Sequence, residues 1–288
     1  MYRGDIMRKN HNDVLKTLGP LAAQLIVTLY NRNRQVFHFQ EAEEILKGRA
    51  PASNVLSQLI SNGVVTRLKS GLFRLVPFEL GFEREYLGNP YIVARELALG
   101  SHKSDKEYYL SYASAFDLHQ MVTQPQLIIY TSSPRMIRSR IIQGTEFRFV
   151  RCKKSNLFGI TEIWVDKSEK VRVSDVERTL LDGLKQPAYC GGFSEVAKGF
   201  SIKHQSIDPQ KLIDYAIKLD VGAVIRRLGY LMELYQIGSR IHWEFLQTKL
   251  TATYQLLDPE LPAEGLHIAK WRLNLNIPQE ELLAIRET

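Results

Sequence analysis

VFHFQEAEEILKGRAPASNVLSQLISNGVVTRLKSGLFRLVP, residues 36–77, holds two short helical patterns followed by a hairpin. Phe39, Ala42, Ile45 and Leu46 stand at i, i+3, i+6 and i+7, one face of a helix of about two turns. Gly48 breaks that pattern. Pro51 suits the first turn of a new helix, where its missing N–H has no partner to lose, so a second helix is expected over residues 51–61. Val55, Leu56, Leu59 and Ile60 form its apolar side, and Ser53, Asn54, Ser57, Gln58 and Ser61 its polar side. Asn62-Gly63, both tolerant of left-handed backbone, stops it. Two β-rich runs follow, Val64 to Leu68 and Leu72 to Val76, joined by the hairpin-length loop Lys69-Ser70-Gly71. Helix, tight turn, helix and two-stranded ribbon is the order of a winged helix-turn-helix.

In that arrangement the second helix can enter the major groove of DNA while the ribbon lies along the neighbouring backbone. Asn54 and Gln58 carry amides that can bond adenine bidentately, and Ser53 and Ser57 adapt to either base. Arg49, Arg67, Lys69 and Arg74 can neutralise phosphates. Taken singly, a polar helix face or a basic hairpin is an ordinary solvated surface. Their combination in this order favours a nucleic-acid contact.

Charge supports the same end of the chain. Residues 1–80 hold 11 Lys and Arg against 6 Asp and Glu, whereas residues 81–288 hold 27 against 25, out of a net charge of +7. A local positive field favours a polyanion through counterion release and steering. No apolar run has the length of a membrane span, and MYRGDIMRKNHNDV lacks the apolar core of a signal peptide, so no membrane partner and a cytoplasmic location are expected. Cys152 and Cys190 form neither a metal-ligand spacing nor a disulfide framework.

The rest of the chain gives an α+β protein: a polar tail (1–18), a winged helix-turn-helix domain (19–84) and a larger mixed α/β C-terminal domain (85–288). Leu21, Leu25, Ile26 and Leu29 mark a support helix before the central stretch, and Gly81, Glu83-Arg84-Glu85 and Gly88 fall in the connection after it. Beyond it, LIIYT (127–131), EFRFVRC (146–152) and ITEIWV (160–165) read as strands. SDVERTLLDGL (174–184) reads as a helix with Ser174 and Glu177 in capping-box spacing and Arg178 and Asp182 as a surface i, i+4 pair. The last third is mainly helical.

Little in the chain resembles catalytic chemistry. The seven histidines stand singly, with no H-E-x-x-H or Cys/His zinc spacing, no phosphate-binding glycine motif and no nucleophile elbow. No cofactor and no metal are therefore expected. Glu162 and Asp166, with Lys167, only loosely resemble a nuclease site. Gly191-Gly192 reads as a tight turn rather than a phosphate cradle.

Several further segments resemble one family. GLFRLVP (71–77), YYLSYASAFDLH (108–119), VSDVERTLLDGLKQP (173–187), CGG (190–192), RRLGYLMEL (226–234) and KWRLNLN (270–276) occur in the order found in AbiEi-type antitoxins of type IV toxin–antitoxin and abortive-infection systems. The resemblance spans roughly residues 19–276. It implies a non-enzymatic protein that represses its own promoter through the winged domain; the single winged module per chain suggests two molecules reading two half-sites of an inverted repeat. The resemblance also implies that the C-terminal domain counteracts a nucleotidyltransferase-like toxin, directly or indirectly. Leu180, Leu181, Gly229 and Trp271 would then be fold-determining, with Arg226, Arg227 and Lys270 as candidate antitoxin surface. Two other readings stand beside it: a regulator whose C-terminal domain binds a ligand or another protein, and an enzyme that uses the winged domain to reach nucleic acid.

Overall fold

Ala22, Leu25, Ile26 and Leu29 are buried along one side of the first helix, α1 (Pro20–Asn31), while Leu21 is turned outward. They close over β1 (Val36–His38), α2 (Phe39–Ile45), α3 (Arg49–Ser61), β2 (Val65–Lys69) and β3 (Leu72–Leu75). Phe37, Ala42, Leu56, Leu59, Val65 and Phe73 complete this core. Burying a leucine of this kind stabilises by roughly 1.5–3 kcal/mol. The computed structural model describes residues 18–80, 86–100, 107–122, 127–167 and 169–285. Residues 1–17 of the expected tail, and Gly81 to Glu85 of the expected connection, lie outside the described residues.

The chain divides into two units, each with its own core. The first comprises the described residues up to 100 together with 141–145 and 164–169, so it runs on past residue 84 to include α4 (Pro90–Leu99). β1 pairs antiparallel with β3, and β3 with β2, giving a sheet ordered β1-β3-β2 rather than a two-stranded ribbon. A register shift between Arg67 and Lys69 bulges β2, and Ser70-Gly71, with Gly71 at φ +75°, closes the hairpin.

Charged groups are buried beneath this sheet. Arg34 donates to Glu41 at 3.1 Å and to both Glu96 oxygens at 3.0 and 3.1 Å. Arg95 donates to Glu96 at 3.0 Å and to Glu169 at 2.7 Å. Glu41 also accepts the His38 backbone N–H, closing a capping box on α2. Each charge is thus met by an opposite one, the condition for burying it.

The second unit holds most of a six-stranded sheet ordered β6-β7-β5-β4-β9-β8, from β4 (Tyr109–Leu110), β5 (Ile128–Ser133), β6 (Arg140–Ile142), β7 (Thr145–Arg151), β8 (Ile160–Asp166) and β9 (Glu169–Ser174), whose residues within 141–145 and 164–169 are those assigned to the first unit. β4 is antiparallel to β5 and parallel to β9, and β5 is parallel to β7. Helices α5 (Ala113–Leu118), α6 (Val176–Lys185), α7 (Phe193–Lys203), α8 (Pro209–Leu219), α9 (Gly222–Leu234), α10 (Arg240–Gln247) and α11 (Gln279–Ala284) surround the main core. A small second sheet sets β12 (Leu273–Leu275) between β10 (Gln255–Leu256) and β11 (Leu266–Ile268).

α6 is the hub, buried from Glu177 to Leu184 on every side. Its N-cap is Asp175, whose carboxylate accepts the Arg178 N–H at 2.9 Å, while Ser174 stays in β9. The expected Ser174–Glu177 box does not form. Glu177 instead accepts from Lys211 at 2.7 Å and from the Asp208 N–H at 3.2 Å. The Arg178–Asp182 pair is likewise interior, at 3.0 Å with both side chains about 2 % exposed, because a helix packed all round has no surface face. Close packing fixes the neighbours: a Cβ on Gly229 would lie 2.0 Å from the Trp271 ring, and one on Gly199 2.6 Å from Phe116. Gly191 and Gly192 take φ of +90° and +104° in the turn before α7.

Candidate nucleic-acid interface

α3 carries the surface that the sequence pattern singles out. Ala52, Val55, Leu56 and Leu59 fix its inner side in the core, which leaves Ser53, Asn54, Ser57 and Gln58 exposed on the outer one. Gly63, at φ +71°, ends the helix by letting Val64 N–H bond back to the Leu59 carbonyl at 3.0 Å. Those four side chains make no hydrogen bond to another described residue, so their donors and acceptors face water.

Between α2, α3 and the hairpin runs an open groove of about 430 Å³. Arg49, Ser53 and Ser57 line it from α3, and Arg67 from β2, with Phe73 at its base. The Arg49 guanidinium lies over the Phe39 ring, 5.8 Å from its centroid, which keeps this cation at the mouth. Arg67 is exposed and Lys69 half-buried. Gln40, Glu43 and Ser70 also line the groove and escaped the sequence reading. The signal was present: residues 40, 43, 44 and 47 are the polar complement of the apolar face in the first helical pattern. A carboxylate there can accept a hydrogen bond and repels anions.

Three assignments need correction. Arg74, expected to meet phosphate, is 1 % exposed. Its guanidinium donates to Gln35 Oε1 at 2.8 Å and lies 5.0 Å from the Tyr86 ring centroid, and burial lowers its pKa despite nearby Asp166 and Glu169. Gly88, at φ +64°, leaves room for it, since a Cβ there would come within 2.0 Å of the guanidinium.

Arg226 and Arg227, expected on an antitoxin surface, are 2 % and 4 % exposed. Arg226 donates to the Gly222 carbonyl at 2.7 Å and to the Thr251 and Thr253 carbonyls at 3.0 and 2.9 Å. Arg227 donates to the Leu184 carbonyl at 2.7 Å and to Leu256 at 3.1 Å, and burial lowers its pKa to about 10. Both therefore clamp backbone rather than meet a partner. Lys270 remains half-exposed and pairs with Glu233.

The other candidate chemistry is dispersed. Glu162 is exposed on β8, and Asp166 accepts from Gln35 Nε2 at 2.8 Å. Among the described residues no group of three or more His, Cys, Asp or Glu side chains is arranged to hold a metal ion, and no helix is long and apolar enough to cross a membrane.

The whole architecture is similar to that of a solved protein. The crystal structure of the RV2827C protein from Mycobacterium tuberculosis superposes with a TM-score of 0.67, covering 93% of this chain and 95% of that one. The two sequences are 15% identical, so the likeness speaks for the mixed α+β fold alone. No family model matches the chain, and no curated protein matches it.

Proposed function

We propose that the first unit is a winged helix-turn-helix and that the protein is a DNA-binding autorepressor. α3 enters the major groove, with Asn54 and Gln58 reading base edges and Ser53 and Ser57 assisting. Arg49, Arg67 and Lys69 hold the flanking phosphates. The observation that carries this reading is the outer face of α3, where four side chains with bonding capacity make no hydrogen bond to another described residue and stand beside a cation-flanked groove. One reading helix per chain implies two chains on an inverted repeat.

The antitoxin role rests on the sequence resemblance. ERTLLD and RRLGYLMEL supply buried packing and backbone clamps in the second unit, so they bear on its fold, and the surface that counteracts a nucleotidyltransferase-like toxin lies elsewhere on it. A regulator whose larger unit takes a ligand is favoured by one specific feature, a charged cavity in that unit.

Binding of the full chain to its own upstream DNA tests the repressor reading, with a scrambled duplex as control. Preferential binding that disappears with Asn54→Ala and Gln58→Ala together supports it. Equal affinity for both duplexes overturns it. Co-expression with a neighbouring nucleotidyltransferase gene tests the antitoxin part, which fails if growth arrest is unrelieved.

A further inference from the structure

Where the end of β7 meets the end of α6, the second unit contains a partly open cavity of about 160 Å³ that no part of the repressor reading uses. A space of about this size holds a benzene ring, so the ligand is small. Among the described residues Asp182 is the one carboxylate in the lining, and both of its oxygens are engaged: Oδ1 by Arg178 Nε at 3.0 Å and Oδ2 by the Tyr109 hydroxyl at 3.3 Å. Against it stand three cations, Arg151, Arg178 and Lys185, which leave the lining at a net charge of +2. Arg151 and Lys185 make no hydrogen bond or ion pair with another described residue, and neither do the side-chain amide of Asn156 and the hydroxyl of Tyr112. All four carry N–H or O–H donors.

Two features oppose an anion here, and both are muted. Asp182 is negative, but burial pushes its carboxyl up and Arg178 neutralises it. The C-terminal end of α6 presents a partial negative charge, but its Leu184 carbonyl is already bonded to Arg227. The remaining wall is aromatic, with Tyr112 and Tyr189 edge to face and ring centroids 5.1 Å apart. Surplus charge of two, unpartnered donors and a volume of a few heavy atoms describe a receptor for a dianion rich in acceptors.

We propose that this cavity binds a phosphate group, free or as a small monoester, held by Lys185 and Arg151 with Asn156 and Tyr112 as further donors. A phosphomonoester is close to a dianion at neutral pH, which matches the surplus charge. In the monoester the attached group would rest on the Tyr112 and Tyr189 rings. The site is separate from the proposed DNA-reading groove, so it stands whether or not the repressor reading does.

Calorimetric titration of the full chain with inorganic phosphate, and in parallel with phenyl phosphate, a small aromatic monophosphate, tests it in chloride buffer of matched ionic strength. Saturable binding at one site per chain is expected. Lys185→Gln and Arg151→Gln should each weaken it about tenfold or more, the value of a hydrogen bond to a charged group. Both variants should stay close to the wild-type melting temperature in chloride, because neither side chain makes a hydrogen bond or ion pair with another described residue and the nearby Asp182 carboxylate keeps Arg178 when Lys185 is neutralised; if one misfolds, the other carries the test. Arg67→Ala, on the hairpin, should leave phosphate binding unchanged. Binding of the monophosphate alone would assign the site to an ester stacked on the tyrosines. Absence of binding by both probes, or wild-type affinity in both cavity variants, overturns the proposal.

Discussion

Glu96→Gln is the sharpest test of how the proposed reading surface is supported. Glu96 lies on α4 with its side chain 2 % exposed, facing the guanidinium groups of Arg34 and Arg95 at 3.0 and 2.9 Å. Burial alone would raise its pKa. The His38 imidazole, with Nε2 3.6 Å away, and the two guanidiniums outweigh burial and hold the carboxyl at about 2, against 4.5 for the free side chain. At about 1.36 kcal/mol per unit, that difference contributes about 3 kcal/mol to folding of the first unit. The folded pKa lies below the unfolded one, so the contribution is complete above about pH 4.5 and is lost as pH falls towards about 2. Glutamine preserves the shape and removes the charge, leaving Arg34 with Glu41 and Arg95 with Glu169 as their remaining carboxylate partners, at a cost of about 3 kcal/mol near neutral pH. Native-state hydrogen exchange in β1, β3 and α4 reports this opening directly, without assuming that both units unfold together. The wild type should lose protection in acid while the variant, weak throughout, changes little. A variant within about 0.5 kcal/mol of wild type at neutral pH, or an acid loss equal in both proteins, would show that the network does not support the fold as argued.

Asn54→Ala and Gln58→Ala should each cost on the order of 1–3 kcal/mol on the preferred site and nothing on random DNA, read by competition binding. An equal loss on both duplexes would remove α3 from the reading role. Gly229→Ala should destabilise the second unit by about 1–3 kcal/mol, because its Cβ would meet the Trp271 ring at 2.0 Å; urea unfolding with near-ultraviolet circular dichroism of that tryptophan measures it. A neutral effect would mean that α9 and Trp271 can separate at no cost.

Local periodicity carried the part of the fold that was legible. The two helical patterns after Val36 lie within two residues of α2 and α3, because capping, glycine stops and apolar spacing act over a few residues. β1 was not legible. VFH is three residues long, and it becomes a strand only by pairing with β3, whose sequence lies 36 residues away at Phe37 and Phe73. The misread charges share one cause. LFRL offers an arginine at a strand position that reads as outward, and only distant Gln35, Tyr86 and Gly88 accommodate Arg74 inward. In RRLGYLMEL the two arginines sit on a helix buried from Val224 to Met232, so neither has a solvent face to occupy. Arg178 and Asp182 are again a sequence-adjacent pair whose burial is decided by what packs on α6. A charged residue is assigned to the surface by default, and the partners that override this default are far along the chain.

That error bears on the proposed DNA contact. Of the 11 cations in residues 1–80, four lie in residues 1–17 outside the described structure, and Arg34 and Arg74 are occupied internally by Glu41, Glu96 and Gln35. On the proposed reading, the phosphate partners at the groove and hairpin would then be Arg49, Arg67 and Lys69, with Glu43 opposing them. Three neutralised phosphates give a slope of log affinity against log salt of about −3 per chain, at roughly −0.9 for each. Arg67→Ala and Lys69→Ala should each flatten the slope by about one, and Arg74→Lys should leave it unchanged while destabilising the first unit. Anisotropy titrations on the half-site across a salt series separate these outcomes. A slope that drops with Arg74→Lys would place that guanidinium on the DNA after all, and would require β3 to turn over when the complex forms.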